Sequence, residues 1–174
     1  FKQVHNPIEG VKMISIEPKI SKAVPTQDLT ALYMVAKDSP YDLARLMIGA
    51  ELGLRPSEIM GLKWEDFSES DCSIKVERQV QRVKGKSLFF APTKTKLRGS
   101  IPLTDRQVAI LVSHRRHQAI NKAGWVTDCG VIFPNSIGRL RDETLDKSWM
   151  GALCVRAGVP HYTRYQLRKS AFTN

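Results

Sequence analysis

One short stretch of this chain, residues 74–103, alternates apolar and polar positions, while the sequence around it repeats at helical spacing. Ile74, Val76 and Val80 read as a half-buried strand. Lys84-Gly85-Lys86 turns the chain, Leu88-Phe89-Phe90 returns, and residues 93–98 make a second basic turn. Ser100-Ile101-Pro102-Leu103 reads as a third strand, its proline favouring an edge. Three such strands cannot cover themselves and must pack against helices. The expected class is therefore mainly α with a small three-stranded antiparallel β-sheet (α+β).

The helices announce themselves by caps and periods. Thr26 can cap a helix with Leu29, Leu32, Tyr33 and Ala36 on one face. Ser39-Pro40 opens a second, with Leu43, Leu46, Met47 and Ala50 as its buried stripe and Gly53 as a stop. A short third helix is expected from Pro56 to Leu62. Thr104-Asp105-Arg106-Gln107 fits a capping box for a helix reaching Lys122, with Gly124 ending it. Val131-Ile132-Phe133-Pro134 reads as a buried extended segment. A further helix is expected over 143–157, closed by Gly158. Thr163-Arg164-Tyr165-Gln166 is a second capping box and opens a last helix. Residues 1–24, broken by Pro7, Gly10 and Pro18, read as a linker. Trp64 and Phe67 read as core anchors. His114 and His117, beside Arg115 and Arg116, read as an exposed helix face.

Charge narrows the partners. The 174 residues carry 27 Lys+Arg against 17 Asp+Glu, a formal net charge of +10. The excess is clustered: Lys75 to Arg98 holds eight basic residues and one acid, and Arg156 to Lys169 holds four and none. Acids gather instead between Asp38 and Asp71. Segregation of this kind points to one positive face and a polyanionic partner. Nothing approaches the ~18 consecutive apolar residues of a membrane span. The densest basic run is not helical, which argues against a membrane-surface helix. Three scattered cysteines without CxxC fit free thiols in a reducing compartment, and no zinc spacing is present.

Three basic side chains lie at element ends: Arg55 after Gly53-Leu54, Lys94 on the second basic turn, and Arg168 one turn into the last helix. The run Ala50-Glu51-Leu52-Gly53-Leu54-Arg55-Pro56-Ser57-Glu58-Ile59-Met60-Gly61-Leu62-Lys63-Trp64-Glu65-Asp66-Phe67 resembles the first arginine box of the tyrosine recombinases, the phage-integrase family. Residues 93–103 resemble that family's lysine hairpin, and residues 157–173 its second arginine box. The likeness covers about residues 26–174 and keeps the boxes in order.

The resemblance implies a site-specific DNA recombinase working through a 3′-phosphotyrosyl intermediate, with no metal and no nucleotide cofactor. Arg55 and Arg168 would clamp the scissile phosphate, since two guanidinium forks match its oxygens as no lysine can. Lys94, with Lys96 as rival, would protonate the leaving 5′-oxygen. Glu58 would hold Arg55 from the same helical face. Arg78, Arg82, Lys84, Lys86, Lys96, Arg98, Arg164 and Lys169 would contact DNA. The implied partners are duplex DNA and other recombinase protomers, with no membrane, in the cytoplasm of a bacterium or host carrying a phage or mobile element.

One departure bears on the chemistry. Where the family has His-x-x-Arg, the aligned pair here is Tyr165-x-x-Arg168. A literal His-x-x-Arg, His161 to Arg164, lies four residues earlier. With Thr163 as cap, His161 falls outside the helix, whereas Tyr165 and Arg168 stand at i and i+3. Tyr165 is therefore the expected occupant of the histidine position; a phenol of pKa about 10 donates a hydrogen bond but is a poor base. The resemblance also implies a core-binding domain before the 1–24 linker, and a catalytic domain over 25–174 that lacks the nucleophilic tyrosine. A non-catalytic DNA-binding or regulatory protein on the same scaffold is the alternative. A basic helical RNA module fits less well, since exposed aromatics for base stacking are sparse.

Overall fold

A computed structural model describes residues 22–93, 99–142 and 147–173. Its centre is helix α2 (Pro40–Ala50). The Ser39 side chain caps it, accepting the Asp42 N–H at 3.2 Å, and Pro40 supplies the first helical residue. The expected single stripe is a correction: every residue from Ala44 to Ala50 is buried, Arg45 included. The reason is tertiary. Helices α1 (Thr26–Ala36), α3 (Pro56–Gly61), α4 (Asp105–Asn121) and α6 (Arg164–Ser170) all pack on α2, so it has no solvent face. Arg45 is tolerated because its guanidinium lies 4.0 Å from the Trp149 ring centroid and donates to Tyr41 Oη at 3.3 Å. Burial lowers its pKa to about 10, which leaves it charged at neutral pH.

Helix α1 starts one residue earlier than its sequence suggests. Pro25 holds the cap position and its carbonyl accepts the Leu29 N–H, so Thr26 is already helical. Leu29, Leu32 and Ala36 form its buried side, facing helix α5 (Lys147–Ala157) in a second apolar cluster with Met150, Leu153 and Leu167.

The β region corrects the expected sheet. Its first strand is broken at Val76-Glu77 into β2 (Ser73–Lys75) and β3 (Arg78–Gln81), and the two halves join different ladders. Strand β2 lies between β1 (Phe67–Ser68) and β5 (Ser100–Pro102), with Ile74 opposite both Phe67 and Ile101. Among the described residues, strand β3 pairs with β4 (Phe89–Pro92) alone, Val80 opposite Phe90. The small sheet is three-stranded, but its third member is β1, and the returning Phe89-Phe90 belongs to a separate ribbon. Alternation reports which side chains face inward; it does not report which neighbour supplies the ladder. Pro102 does sit on an edge strand.

The Thr104 capping box forms as expected, with Gln107 N–H donating to Thr104 Oγ1 at 3.3 Å. Further along α4 a second correction appears. His114 is buried, not exposed: its ring stacks on Phe133 and its Nε2 lies 2.8 Å from the Ile132 carbonyl. His117 is on the surface. Residues 131–134 are buried and extended, bridged to Lys63 and, through Ile132 N–H, to the Leu62 carbonyl. The first residues of the expected 143–157 helix lie outside the described residues. Among the described residues, no helix is long and apolar enough to cross a membrane.

Candidate active site

Arg55 is presented by a turn in which glycine is required. Gly53 has φ +61°, and a Cβ there would stand 3.0 Å from Ala171 Cβ and 3.1 Å from the Phe172 ring. The turn after α2 is thus pressed against the end of α6. Pro56 then opens α3 with Arg55 at its cap position. Glu58, in the first turn, accepts the Arg55 backbone N–H at 2.8 Å and pairs with the Arg55 guanidinium at 2.7 Å.

Helix α6 arrives by different means. Thr163 and Gln166 make the reciprocal capping box, with bonds of 3.2 and 2.9 Å. Leu167 lies over Gly49 of α2, where a Cβ would come within 2.8 Å of Leu167 Cδ2. Ser170 Oγ accepts the Val24 N–H at 3.2 Å. Held at both ends and along its buried side, α6 carries the Arg168 Nη1 to 3.8 Å from Glu58 Oε2. Two guanidiniums distant in sequence therefore flank one carboxylate.

These three side chains line a cleft of about 340 Å³ together with Val76, Thr93, Ser100 and Ile101. The Glu58 side chain is 7% exposed, whereas those of Arg55 and Arg168 are 36% and 25% exposed. Buried carboxylate and accessible cations are the arrangement an anion needs: Glu58 holds two positive groups that are themselves more exposed than it is. Two cations against one anion leave an excess of positive charge for a ligand. Val76, Ser100 and Ile101 read from the sequence as strand residues and not as site residues; alternation does not reveal that they line the same cleft as Arg55.

Other sequence-expected residues are distributed unevenly. Lys94, Lys96 and Arg98 lie outside the described residues, although Thr93 and Gly99 both line the cleft. Thr163 caps α6, so His161 precedes the helix; its ring lies 3.4 Å from where a Gly151 Cβ would be. Tyr165 is on α6 with Arg168 but is 54% exposed, and neither it nor His161 lines the cleft. Arg78 pairs with Asp66 at 2.7 Å and Glu65 at 3.2 Å. Arg82 pairs with Asp142 at 2.7 Å while remaining largely exposed. Lys84 and Lys86 project from the exposed β3–β4 turn, Lys169 is exposed, and Arg164 is half-buried beside Arg45 and Trp149.

No family model matches the chain. A curated relative, a XerC-like tyrosine recombinase of Caldanaerobacter subterraneus subsp. tengcongensis, is 26% identical over 171 residues. That match takes in 89% of this chain and 40% of the relative, so the chain spans less than half its length. Among solved structures, the Tn1549 transposon integrase in complex with circular intermediate DNA superposes with a TM-score of 0.72, covering 91% of this chain and 55% of the integrase at 21% identity. The XerA recombinase gives 0.67 at 17% identity, over 86% of this chain and 48% of that one. At these identities the structures speak to the fold. In sequence the chain is similar to a XerC-like tyrosine recombinase, and its fold is shared with the XerA recombinase and the Tn1549 integrase.

Proposed function

We propose that this chain is the DNA-binding catalytic domain of a site-specific tyrosine recombinase, and that Arg55 and Arg168 clamp the scissile phosphate. The observation that carries the reading is the Glu58 carboxylate shared between the two guanidiniums at the wall of an open cleft. In the reaction proposed, a tyrosine oxygen bonds to phosphorus, the bond to the 5′-oxygen breaks, and Lys94 gives that oxygen its proton. Negative charge grows on the non-bridging oxygens as this happens. Fixed guanidiniums stabilise it without reorganising, and loss of one such donor is worth about 3–4 kcal/mol of barrier. The reading assigns these residues the clamp and the proton donor, not the nucleophile, and it needs no metal or nucleotide. In this reading Tyr165 takes the histidine position on α6, outside the cleft that Arg55 and Arg168 line.

Partners follow from the charge. Duplex DNA, held by Lys84, Lys86, Lys96, Arg98 and Lys169, is the proposed ligand, with further recombinase protomers on the same DNA. The proposed location is the cytoplasm, on DNA. A gel-shift titration with duplex DNA, challenged by RNA of equal length, tests the binding; preferential loss to RNA competitor overturns it. The exposure of Tyr165 favours a second reading, a regulatory DNA-binding protein on the same scaffold. The two part on Arg55→Ala with Arg168→Ala: a catalytic clamp predicts loss of phosphate binding in the cleft with DNA affinity little changed, whereas a regulatory binder carries no phosphate there at all.

A further inference from the structure

A second cleft, of about 280 Å³, opens at the other end of α2 and shares no lining residue with the first. Tyr41, Trp125, Pro134 and His114 are among the residues that line it. It is a built feature. Gly138, at φ +82°, packs under the Trp125 ring, leaving 2.8 Å between that ring and any added Cβ. Tyr41 and Phe133 hold the His114 ring edge-on and stacked, at 5.6 and 5.3 Å between centroids.

The chemistry of His114 makes the cleft specific. Its Nε2 faces the Ile132 carbonyl, which can only accept, so Nε2 carries the hydrogen. Burial lowers its pKa to about 4, with His117 adding to the shift, so the ring is neutral. Nδ1 is then a bare acceptor, and among the described residues it has no hydrogen-bond partner though His114 is only 1% exposed. A buried acceptor left unmatched is costly, and a donor brought to it is correspondingly rewarded.

We propose that this cleft is a binding site for a flat aromatic group bearing one N–H or O–H donor, which lies between Tyr41, Trp125 and Pro134 and donates to His114 Nδ1. The volume is at the lower end for ligand pockets and suits a single indole- or phenol-sized ring system rather than a larger ligand. Such a group has two sources, a free small molecule or a tryptophan or tyrosine side chain of another protein.

The test is an NMR titration of this chain, labelled with ¹⁵N in histidine, with indole and with 1-methylindole. Indole is expected to move the His114 Nδ1 resonance and to bind about tenfold more tightly than its methylated analogue, the scale of one buried hydrogen bond. Equal affinity for the two, or no binding of either, overturns the site; a water molecule satisfying Nδ1 would give that result. His114→Phe is expected to abolish the discrimination, but it also breaks the Ile132 bond. Ser136→Trp, at an exposed position of the mouth, is therefore the second variant: it is expected to abolish indole binding with the thermal midpoint unchanged. Unaltered binding in Ser136→Trp overturns the placement. A short peptide with one internal tryptophan, run in parallel, assigns the source: tighter binding than indole indicates a protein partner, weaker binding a free ligand.

Discussion

Arg168 stands 3.8 Å from the Glu58 carboxylate that already pairs, at 2.7 Å, with Arg55. The carboxylate thereby holds two elements together, the turn after α2 and helix α6. Glu58 is nearly buried, so removing its charge leaves two cations facing each other with one neutral acceptor between them. Glu58→Gln is expected to destabilise the fold by about 1–3 kcal/mol, read as a lower urea midpoint at unchanged slope. Arg55 and Glu58 are each other's partners, so the combined effect of Arg55→Ala and Glu58→Gln is expected to fall short of the sum, and full additivity would mean that the pair is not coupled.

The fork geometry gives a separate expectation. Arg55→Lys and Arg168→Lys keep the charge and discard the paired donors. Each is expected to weaken inorganic phosphate binding in the cleft by tenfold or more, followed through the remaining arginine side-chain resonance, while duplex DNA affinity changes by less than threefold. Equal phosphate binding by lysine would show that charge alone suffices there.

The glycines that let the helices close up differ in what opposes a side chain. At Gly61 a Cβ would lie 2.7 Å from the Arg78 carbonyl oxygen and 2.9 Å from Gln79 Cα, both backbone. At Gly49 the opposing atom is the tip of Leu167, which can rotate away. Gly61→Ala is therefore expected to cost several kcal/mol and Gly49→Ala about 1–2 kcal/mol, with the order of the two urea midpoints as the check. Gly53→Ala adds the strain of φ +61° to its contacts with Ala171 and Phe172 and is expected to fall with Gly61→Ala.

Local signals survived folding where the chemistry is local. The Thr163–Gln166 and Thr104–Gln107 boxes and the Ser39 cap form between residues three apart, so the sequence contains all their parts. The split at Val76-Glu77 was not visible, because the choice of ladder partner depends on Phe67 and Phe90, which alternation does not identify. Arg45, which no sequence signal marked as buried, and His114, read as exposed, are buried for a common reason. Each is polar on a helix whose partner helices cover it, and what renders it tolerable, Trp149 in one case and Phe133 with the Ile132 carbonyl in the other, is remote in sequence. The meeting of Arg55 with Arg168 followed from a resemblance between boxes; spacing alone does not bring the ends of α2 and α6 together.

Basic residues of similar appearance are expected to separate in their salt dependence. Lys84 and Lys86 are exposed on the β3–β4 turn, whereas Arg78 is engaged by Asp66 and Glu65. Burial raises the Asp66 pKa, and Arg78 works against that shift. The Lys84→Ala, Lys86→Ala double variant is expected to flatten the log–log dependence of duplex DNA affinity on salt by about 0.9 for each phosphate that a lysine no longer neutralises, up to about two such phosphates. Arg78→Ala is expected to leave that slope alone and lower the urea midpoint. A reversed pattern would place the DNA on the other side of the β3–β4 ribbon.

His114 sets an acid limit on stability whose direction is fixed by its environment. Burial lowers its pKa from 6.5 to about 4. Above pH 6.5 the ring is neutral in folded and unfolded chains alike, so it adds no pH dependence there. Below that pH the unfolded chain takes up a proton that the folded chain refuses, and the unfolded state gains. Stability attributable to His114 is therefore whole above pH 6.5, falls steadily between pH 6.5 and about 4, and is flat beneath, a total of about 3 kcal/mol. The rings of Tyr41, Trp64 and Phe133 pack against that of His114. Urea unfolding at pH 7.5, 5.5 and 4 is expected to show this loss in the natural sequence. His114→Phe, less stable at pH 7.5 because the Ile132 carbonyl loses its His114 donor and keeps only that of Gln118, is expected to lose about 3 kcal/mol less across the same interval, so the two curves converge in acid. Parallel curves would mean that the buried ring takes up its proton as readily as a solvated one.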